Sequence, residues 1–291
     1  MNILLVKLGA AGDVVRTTAL LSALPDCVTW LVDEKNLPLL NGICHALTWQ
    51  NRAHLCRSFD WIINLEEAYE VASFLQMLHA DKRTGVYLDD IGEMVYTPES
   101  RNWFDMSSIS LLGKQKADEL KFLNRATCQD LIFQACGFKF QGQPYHLPKG
   151  TATNVIGDVA IVKSVGVTWP MKGWNYYDAL RARLEADGLK VTLLETRPTL
   201  LEHLSDVQGH KVLVSGDTLA MHFALGSRVN CVTIFNCTSP WEIYGYDLQM
   251  QIVSPRLKEF FYRRDIDTSA MSAVPLENVY QAVQGWHWAL A

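Results

Sequence analysis

The chain has 291 residues, 49% of them hydrophobic and 20% charged, which is ordinary for a globular protein and enough for two cores of normal domain size. Its formal net charge of −5 excludes a general attraction to nucleic acid or anionic lipid, so we expect no nucleic-acid partner and only local groups that hold an anionic ligand. The seven cysteines are scattered without metal-ligand spacing, which favours a reduced, cytoplasmic chain.

The amino-terminal segment predicts a strand, a turn and a helix. Residues 2–8 are typical of a buried strand, small residues follow, and apolar residues at helical spacing predict a helix over 13–24. The apolar start is too short for a signal segment or a membrane span, and no other stretch reaches roughly 18 apolar residues. We therefore expect at most peripheral contact with a membrane, at the inner face of the cytoplasmic membrane.

The same alternation continues along the first half of the chain. Strand patterns at 28–32 and 61–65 and a helix pattern at 68–78 indicate a parallel sheet covered on both faces. The signal is weaker from residue 85 onward, where we predict one helix over 116–136.

A second α/β half follows a predicted linker at 141–150, where glycine and proline accumulate. Its strand patterns lie at 159–165, 190–194, 211–215 and 230–235, and its helix patterns at 176–186, 218–225 and 276–289. We therefore predict Rossmann-like doubly wound domains at 1–148 and 149–275 and a carboxyl-terminal helix at 276–291. If the two domains face a central cleft, ligands are expected there, at the carboxyl ends of the strands.

The turn after the first predicted strand reads Gly9-Ala10-Ala11-Gly12-Asp13. Glycine lets the backbone approach a ligand closely, and the amides at the start of the following helix favour a negative group. Asp13 has two interpretations: it is the N-cap of that helix, or it is a general base that points into the cleft.

A second turn of this kind, Gly216-Asp217-Thr218, follows a strand pattern and precedes a helix. The first free amides of that helix, with the Thr218 hydroxyl beside them, would suit a diphosphate. His222 lies four residues after Thr218 and so on the same helix face, as a ligand contact or as a satisfied, partly buried histidine. Asp217 is likewise a ligand contact or a helix cap.

Two further segments follow strands of the second half. In Thr168-Trp169-Pro170-Met171-Lys172, the lysine could stabilise a leaving diphosphate, or it is a solvated loop lysine. The segment Asn236-Cys237-Thr238-Ser239-Pro240 would suit a phosphate or sugar contact, or it is a turn that proline ends.

Taken in order, these segments resemble glycosyltransferase family 9, the ADP-heptose:lipopolysaccharide heptosyltransferases and their relatives. Residues 3–18 resemble the amino-terminal signature of strand, small loop and Gly-Asp. Residues 215–222 resemble the nucleotide-site signature, normally Asp-Thr-Gly with a histidine four residues after the threonine. The resemblance spans nearly the whole chain. It implies a GT-B fold and an inverting, metal-independent transfer of heptose from ADP-heptose to a hydroxyl of a lipopolysaccharide core or another glycan or glycoconjugate.

The resemblance also implies roles for individual residues. Asp13 would be the catalytic base, and Lys172 would stabilise the departing diphosphate. The donor-binding residues would be Gly12, Thr168, Glu195, Asp217, Thr218, Leu219 and His222. The acceptor-binding residues would be Gly9, Ala10, Ala11 and Arg16.

The chain departs from the family pattern in three places. Leu219 stands where the family usually has glycine, which could crowd the diphosphate. The first half has few basic residues for a phosphorylated acceptor, so another acceptor stays open. Some relatives carry a cysteine cluster near the carboxyl end, whereas residues 257–271 contain no cysteine, so we expect no iron, zinc or other cofactor beside the nucleotide sugar.

Two other functions stay open at this point. One is a sugar-nucleotide-binding protein that has lost transferase activity. The other is a Rossmann-type oxidoreductase or epimerase, which is disfavoured because the first turn lacks the third glycine of a dinucleotide site. Asp33 is the nearest acidic residue to the end of the second strand that such a site would use.

Overall fold

The computed structural model describes residues 1–25 and 27–290, and it divides into two compact units, Met1–Pro148 and Lys149–Ala291. Residue 291 of the predicted carboxyl-terminal helix lies outside the described residues. Within those ranges, no helix is both long and apolar enough to cross a membrane. Each unit contains a sheet of mainly parallel strands with helices, so the predicted α/β class is confirmed.

The sheet of the amino-terminal unit has six strands: β1 (Ile3–Val6), β2 (Val28–Val32), β3 (His45–Thr48), β4 (Ser58–Asn64), β5 (His79–Leu88) and β6 (Met94–Tyr96). Their order is β3-β2-β1-β4-β5-β6, and every neighbouring pair is parallel except β5 with β6. The strand order reverses between β1 and β4. Ligands of doubly wound sheets bind at such a switch point, outside the carboxyl ends of the strands.

The helices of this unit are α1 (Ala11–Thr17), α2 (Tyr69–Gln76), α3 (Arg101–Phe104), α4 (Lys114–Leu123) and α5 (Cys128–Ala135), with 3-10 segments at Thr18–Ser22, Glu34–Leu40, Trp49–His54 and Pro98–Ser100. Val71 and Leu75 of α2 pack on one face of the sheet, in a buried cluster with Leu4 and Val6.

The helix predicted for 13–24 differs from α1 at both ends. It begins two residues earlier, at Ala11, and its second half is a 3-10 segment from Thr18.

The single helix predicted for 116–136 is wrong, because α4 ends at Leu123 and α5 begins at Cys128. A capping box separates them. The Asp130 amide donates to Thr127 Oγ1 at 3.1 Å, and the Thr127 amide donates to the Asp130 carboxylate at 3.0 Å. This reciprocal arrangement satisfies two amides that a helix start leaves unpaired, so it fixes a new start within the apolar pattern.

The sheet of the carboxyl-terminal unit has five strands: β7 (Gly157–Val162), β8 (Val191–Leu193), β9 (His210–Gly216), β10 (Asn230–Phe235) and β11 (Gln249–Val253). Their order is β11-β10-β9-β7-β8, and all neighbouring strands are parallel. Here the order reverses between β7 and β9, so the switch point lies after these two strands.

The helices of the second unit are α6 (Tyr177–Ala186), α7 (Leu200–Gln208), α8 (Leu219–Gly226), α9 (Leu257–Phe260), α10 (Thr268–Met271) and α11 (Leu276–Leu290), with a 3-10 turn at Pro170–Lys172. Leu180 of α6 and Val279 and Val283 of α11 are fully buried against Val159 and Val214 of the sheet. This core lies entirely within the second unit.

Candidate functional site

The loop after β1 lies at the switch point of the amino-terminal sheet and is held by side chains from neighbouring segments. The Lys7 carbonyl accepts a hydrogen bond from Trp30 Nε1 at 3.0 Å, and the Leu8 carbonyl accepts one from Asn36 Nδ2 at 2.8 Å. A Cβ at Gly9 would lie 3.3 Å from that same amide nitrogen, which is a tight contact. The backbone path into α1 is therefore closely defined.

Glu66, two residues after β4, is a site residue that the sequence did not single out. Its Oε1 accepts hydrogen bonds from the Leu8 amide at 2.7 Å and the Gly9 amide at 3.3 Å, and it pairs with Lys7 Nζ at 3.0 Å. The Lys7 and Glu66 side chains are only 10% and 15% exposed. The available signal was a carboxylate two residues after a strand. That signal points to the loop after β1 only if β4 is known to lie next to β1, and one sequence does not show which strands are neighbours.

Asp13 is the third residue of α1 and not its N-cap, so the capping interpretation is wrong. The N-cap is Ala10, which has no side-chain hydrogen bond, because the chain becomes helical before it reaches the carboxylate. Asp13 Oδ1 lies 2.8 Å from the Arg16 guanidinium, one turn further along the helix. The Asp13 side chain is 35% exposed, so a carboxyl group next to a cationic side chain is open to solvent here.

The other residues predicted around this loop differ in exposure. Ala10 is exposed, and Gly9, Ala11 and Gly12 are partly buried. Arg16, predicted to bind the acceptor, is 16% exposed, and its guanidinium lies 2.8 Å from Asp13.

In the carboxyl-terminal unit, the loops after β7, β9 and β10 converge. Lys172 Nζ lies 2.7 Å from the Asp217 carboxylate, and Asn236 Nδ2 donates to the Gly173 carbonyl at 2.7 Å. A Cβ at Gly216 would lie 2.3 Å from the Lys172 carbonyl oxygen, so only glycine allows the first two loops to approach this closely. Lys172 is 17% exposed and is therefore not a solvated loop lysine.

Asp217 is not a helix cap either, because the N-cap of α8 is Thr218. Its carboxylate is only 14% exposed. Burial by itself would raise the pKa of Asp217, but the Lys172 ammonium and the His222 ring more than offset burial and lower the pKa to about 2. Asp217 is therefore ionised at neutral pH and forms a charged pair with Lys172.

Thr218, the N-cap of α8, has an extended backbone, and its side chain makes no cap hydrogen bond. Its Oγ1 is buried and has no hydrogen-bond partner within the described residues. Leu219, the first residue of the helix, is partly buried, and His222 is 5% exposed. The hydroxyl and the first helix amides thus keep hydrogen-bonding capacity next to the Lys172–Asp217 pair.

Of the other predicted donor residues, Gly12 belongs to the amino-terminal unit, and two are exposed. Thr168 is exposed in the loop that leads to Lys172, and Glu195 is exposed after β8, an edge strand. Trp169, in the same loop as Thr168, belongs to an aromatic group: its ring lies 5.4 Å from that of Tyr262, and the Arg264 guanidinium lies 5.0 Å from its centroid.

No protein-family model matches the chain, and no curated protein matches it in sequence. Solved structures do match. The E. coli heptosyltransferase WaaC with ADP is 16% identical, with a TM-score of 0.63 over 98% of this chain and 100% of that one. A glycosyl transferase family 9 protein from Veillonella parvula is 15% identical, with a TM-score of 0.69 over 99% and 97%. The E. coli ADP-heptose lps heptosyltransferase II is 13% identical, with a TM-score of 0.64 over 100% of both chains.

The same comparison corrects the expectation of no metal. The E. coli glycosyltransferase TibC, 11% identical with a TM-score of 0.60 over 99% of this chain and 77% of that one, is described as iron-containing. The expectation that this fold holds no metal is therefore wrong, since a protein with this fold contains iron. In the part of the chain that the structure describes, no three His, Cys, Asp or Glu side chains are grouped as they would be around a metal ion.

At these identities the likeness is one of fold. It extends over nearly the whole length of this chain and of each of these three matched chains. The chain has the two-sheet α/β fold of the GT-B heptosyltransferases and of a family 9 glycosyltransferase.

Proposed function

We propose that the protein is a glycosyltransferase that moves a sugar from a nucleoside diphosphate to an acceptor hydroxyl with inversion at the anomeric carbon. The observation that carries this proposal is the group formed by Lys172, Asp217 and Thr218 at the switch point of the carboxyl-terminal sheet. It combines a largely buried ammonium, a hydroxyl with spare hydrogen-bonding capacity and the first amides of a helix. These are the groups that bind and stabilise a diphosphate.

On the donor side, Lys172 and Thr218 would contact the diphosphate, and Asp217 would hold the ammonium in place. His222 would complete the pocket, Glu195 would contact the ribose, and the remaining predicted donor residues are Gly12, Thr168 and Leu219. ADP-heptose is the proposed donor, because a matched structure of E. coli WaaC contains ADP-2-deoxy-2-fluoro heptose.

On the acceptor side, Asp13 would take the proton from the acceptor hydroxyl as its oxygen attacks the anomeric carbon. The bond from that carbon to the diphosphate breaks, and the diphosphate leaves with the electron pair next to Lys172. The Asp13 side chain is 35% exposed, so a hydroxyl from solvent or an acceptor can reach it, as a general base requires. The acceptor would be a glycan or a lipid-linked glycoconjugate that contacts the loop Gly9–Ala11.

The second candidate is a sugar-nucleotide-binding protein without transferase activity. One observation favours it: Asp13, the proposed base, is already paired with the Arg16 guanidinium at 2.8 Å. Both functions require donor binding, and only the first requires turnover.

The donor site is tested with a panel of ADP-, GDP-, UDP- and dTDP-sugars, by thermal shift and calorimetry. We expect one class to stabilise the protein and Lys172→Met to weaken its binding by about 10-fold or more. Lys163→Met is the matched control, because Lys163 pairs with Asp178 at 2.8 Å but both side chains are well exposed. If no donor binds, the proposed function fails.

The base is tested by following release of the nucleoside diphosphate. We expect Asp13→Asn to lower kcat by about 100-fold or more while donor affinity is unchanged. Asp33→Asn is the control, since Asp33 also pairs with a nearby cation, Lys35, at 3.1 Å. Donor binding without turnover in the wild type, across an acceptor panel, would instead support the inactive binder.

A further inference from the structure

The Glu66 carboxylate lies where the strand order of the amino-terminal sheet reverses, between β1 and β4. We propose that Glu66 is a positioning residue that fixes the Lys7–Ala10 loop and thereby the place of Asp13. The inference rests on the proposed function, because it gives a catalytic purpose to a contact that the structure contains. Nothing in the family resemblance assigned a role to this residue.

The loop that Glu66 contacts is held from two sides. On the β2 side, the Leu8 carbonyl accepts hydrogen bonds from the Asp33 amide at 3.2 Å and from Asn36 Nδ2 at 2.8 Å. On the β4 side, the amides of Leu8 and Gly9 both donate to Glu66 Oε1. If Glu66 were lost, the loop would keep its anchor on one side only.

Glu66 is itself held in place. Its own amide donates to Asn64 Oδ1 at 3.1 Å, and Asn64 Nδ2 donates to the Val86 carbonyl of β5 at 2.9 Å. The charge is balanced by Lys7, 3.0 Å away, and neither side chain is more than 15% exposed. Charge-assisted hydrogen bonds withdrawn from water in this way are stronger and better defined than surface ones.

The start of α1 depends on this loop. Ala10, the N-cap, supplies no side-chain hydrogen bond, so no local cap fixes where the helix begins. Asp13 follows three residues later, in the first turn. A displacement of Leu8 and Gly9 therefore carries Asp13 with it, and a shift of about 1 Å at a reacting group costs on the order of 100-fold in rate.

The test compares Glu66→Ala, Glu66→Gln and the neighbouring control Glu67→Gln in the full chain. Glu67 is the next residue in the chain and accepts hydrogen bonds from Ser108 on the surface. Its replacement therefore removes a neighbouring carboxylate that does not hold the Lys7–Ala10 loop. Two readouts are used: amide hydrogen exchange of Leu8 and Gly9 by NMR, and kcat and donor KM of sugar transfer. A pure stability effect would change neither kcat nor donor KM at a temperature where all variants are folded.

For Glu66→Ala we expect faster exchange at both amides and a kcat at least about 10-fold lower, with donor KM within about 3-fold of the wild type. Glu66→Gln should recover part of kcat and most of the exchange protection, because its amide oxygen still accepts both backbone hydrogen bonds. The control should match the wild type. The double variant Lys7→Met with Glu66→Gln should melt at a higher temperature than Glu66→Gln alone, because it lacks the ammonium that has lost its counter-ion.

Unchanged exchange at Leu8 and Gly9 in Glu66→Ala would overturn the positioning role, and so would an unchanged kcat. A fall in donor affinity equal to the fall in kcat would also overturn it, since it would place Glu66 in donor binding. If the wild type shows no transfer, the proposed function fails, while the exchange experiment still decides whether Glu66 holds the loop.

Discussion

Each unit has a lysine–carboxylate pair at the switch point of its sheet that is largely withdrawn from water. The side chains of Lys7 and Glu66 are 10% and 15% exposed, and those of Lys172 and Asp217 are 17% and 14% exposed. Removing charges from water is costly, and a partner of opposite charge recovers that cost only with good geometry. The pairs therefore stabilise the local arrangement of the loops more than they stabilise the fold as a whole.

The Asp217 pair predicts a defined dependence of stability on pH. The pKa of Asp217 is about 2 in the folded protein against an ordinary value of 3.8, so its contribution is complete above pH 4 and is lost as the pH falls through 2. This difference corresponds to about 2 kcal/mol. In urea unfolding, Asp217→Asn should be less stable than the wild type at pH 6, and this gap should shrink toward pH 2.

Asp178→Asn is the control for that titration, because the exposed Asp178–Lys163 pair should contribute less than about 1 kcal/mol at any pH. A gap between wild type and Asp217→Asn that stays constant from pH 6 to pH 2 would contradict a lowered pKa for Asp217.

Gly216→Ala should displace the loop that carries Lys172. The new Cβ would lie 2.3 Å from the Lys172 carbonyl oxygen, a backbone atom that cannot rotate away. We expect donor affinity measured by calorimetry to fall by about 10-fold, because the displaced loop would weaken the contact between the Lys172 ammonium and the diphosphate. Gly166→Ala is the matched control in the same loop, where a Cβ would meet nothing within 4 Å. Equal donor affinity of the two variants would contradict this steric role.

At the scale of elements, strong buried patterns were predictable and polar strands were not. The strands at 28–32 and 230–235 agree with β2 and β10 to the residue, because both are central and largely buried. In contrast, β3, β5, β6 and β11 were missed. Three of them, β3, β6 and β11, are edge strands, and the first half of β5 is mostly exposed, so none has the long apolar run that marks a strand in sequence.

The same distinction holds for the site. Lys172 and Asp217 were identifiable because each follows a recognisable strand, and the structure brings them to 2.7 Å. Glu66 was not identifiable, because its significance depends on β4 lying next to β1, which are more than 50 residues apart in the chain. A pattern of residues indicates which segment is a strand, but it carries no information on which strand is its neighbour.

The break between α4 and α5 yields a prediction for an element. Thr127→Ala removes the hydroxyl that accepts from the Asp130 amide, so the amino-terminal unit should lose about 1 kcal/mol of stability in urea unfolding. Thr127→Ser keeps the hydroxyl and should stay close to the wild type. If both variants lose the same stability, the methyl group of Thr127 and not the cap is responsible.

At the scale of the molecule, each unit has a core of its own around its own sheet. The cluster of Leu4 and Val71 belongs to the first unit, and that of Val159 and Leu180 to the second. The segment that precedes β7 is attached to the second unit, since Thr153 Oγ1 donates to Asp206 at 2.6 Å and a Cβ at Gly209 would lie 2.3 Å from the Val155 carbonyl. The residues between 148 and β7 therefore belong to the second unit.

We accordingly predict that a fragment of residues 149–291 unfolds cooperatively on its own, with a near-ultraviolet circular dichroism signal from its buried Trp174. A fragment that begins at 157, the first residue of β7, should be less stable by about 1 to 3 kcal/mol, because it leaves the buried Asp206 without the Thr153 hydroxyl. Thr153→Ala in the longer fragment should reproduce part of this loss. If the longer fragment shows no cooperative transition, the second core depends on the first, and the sheet with Lys172 and Asp217 cannot be an independently folded donor-binding unit.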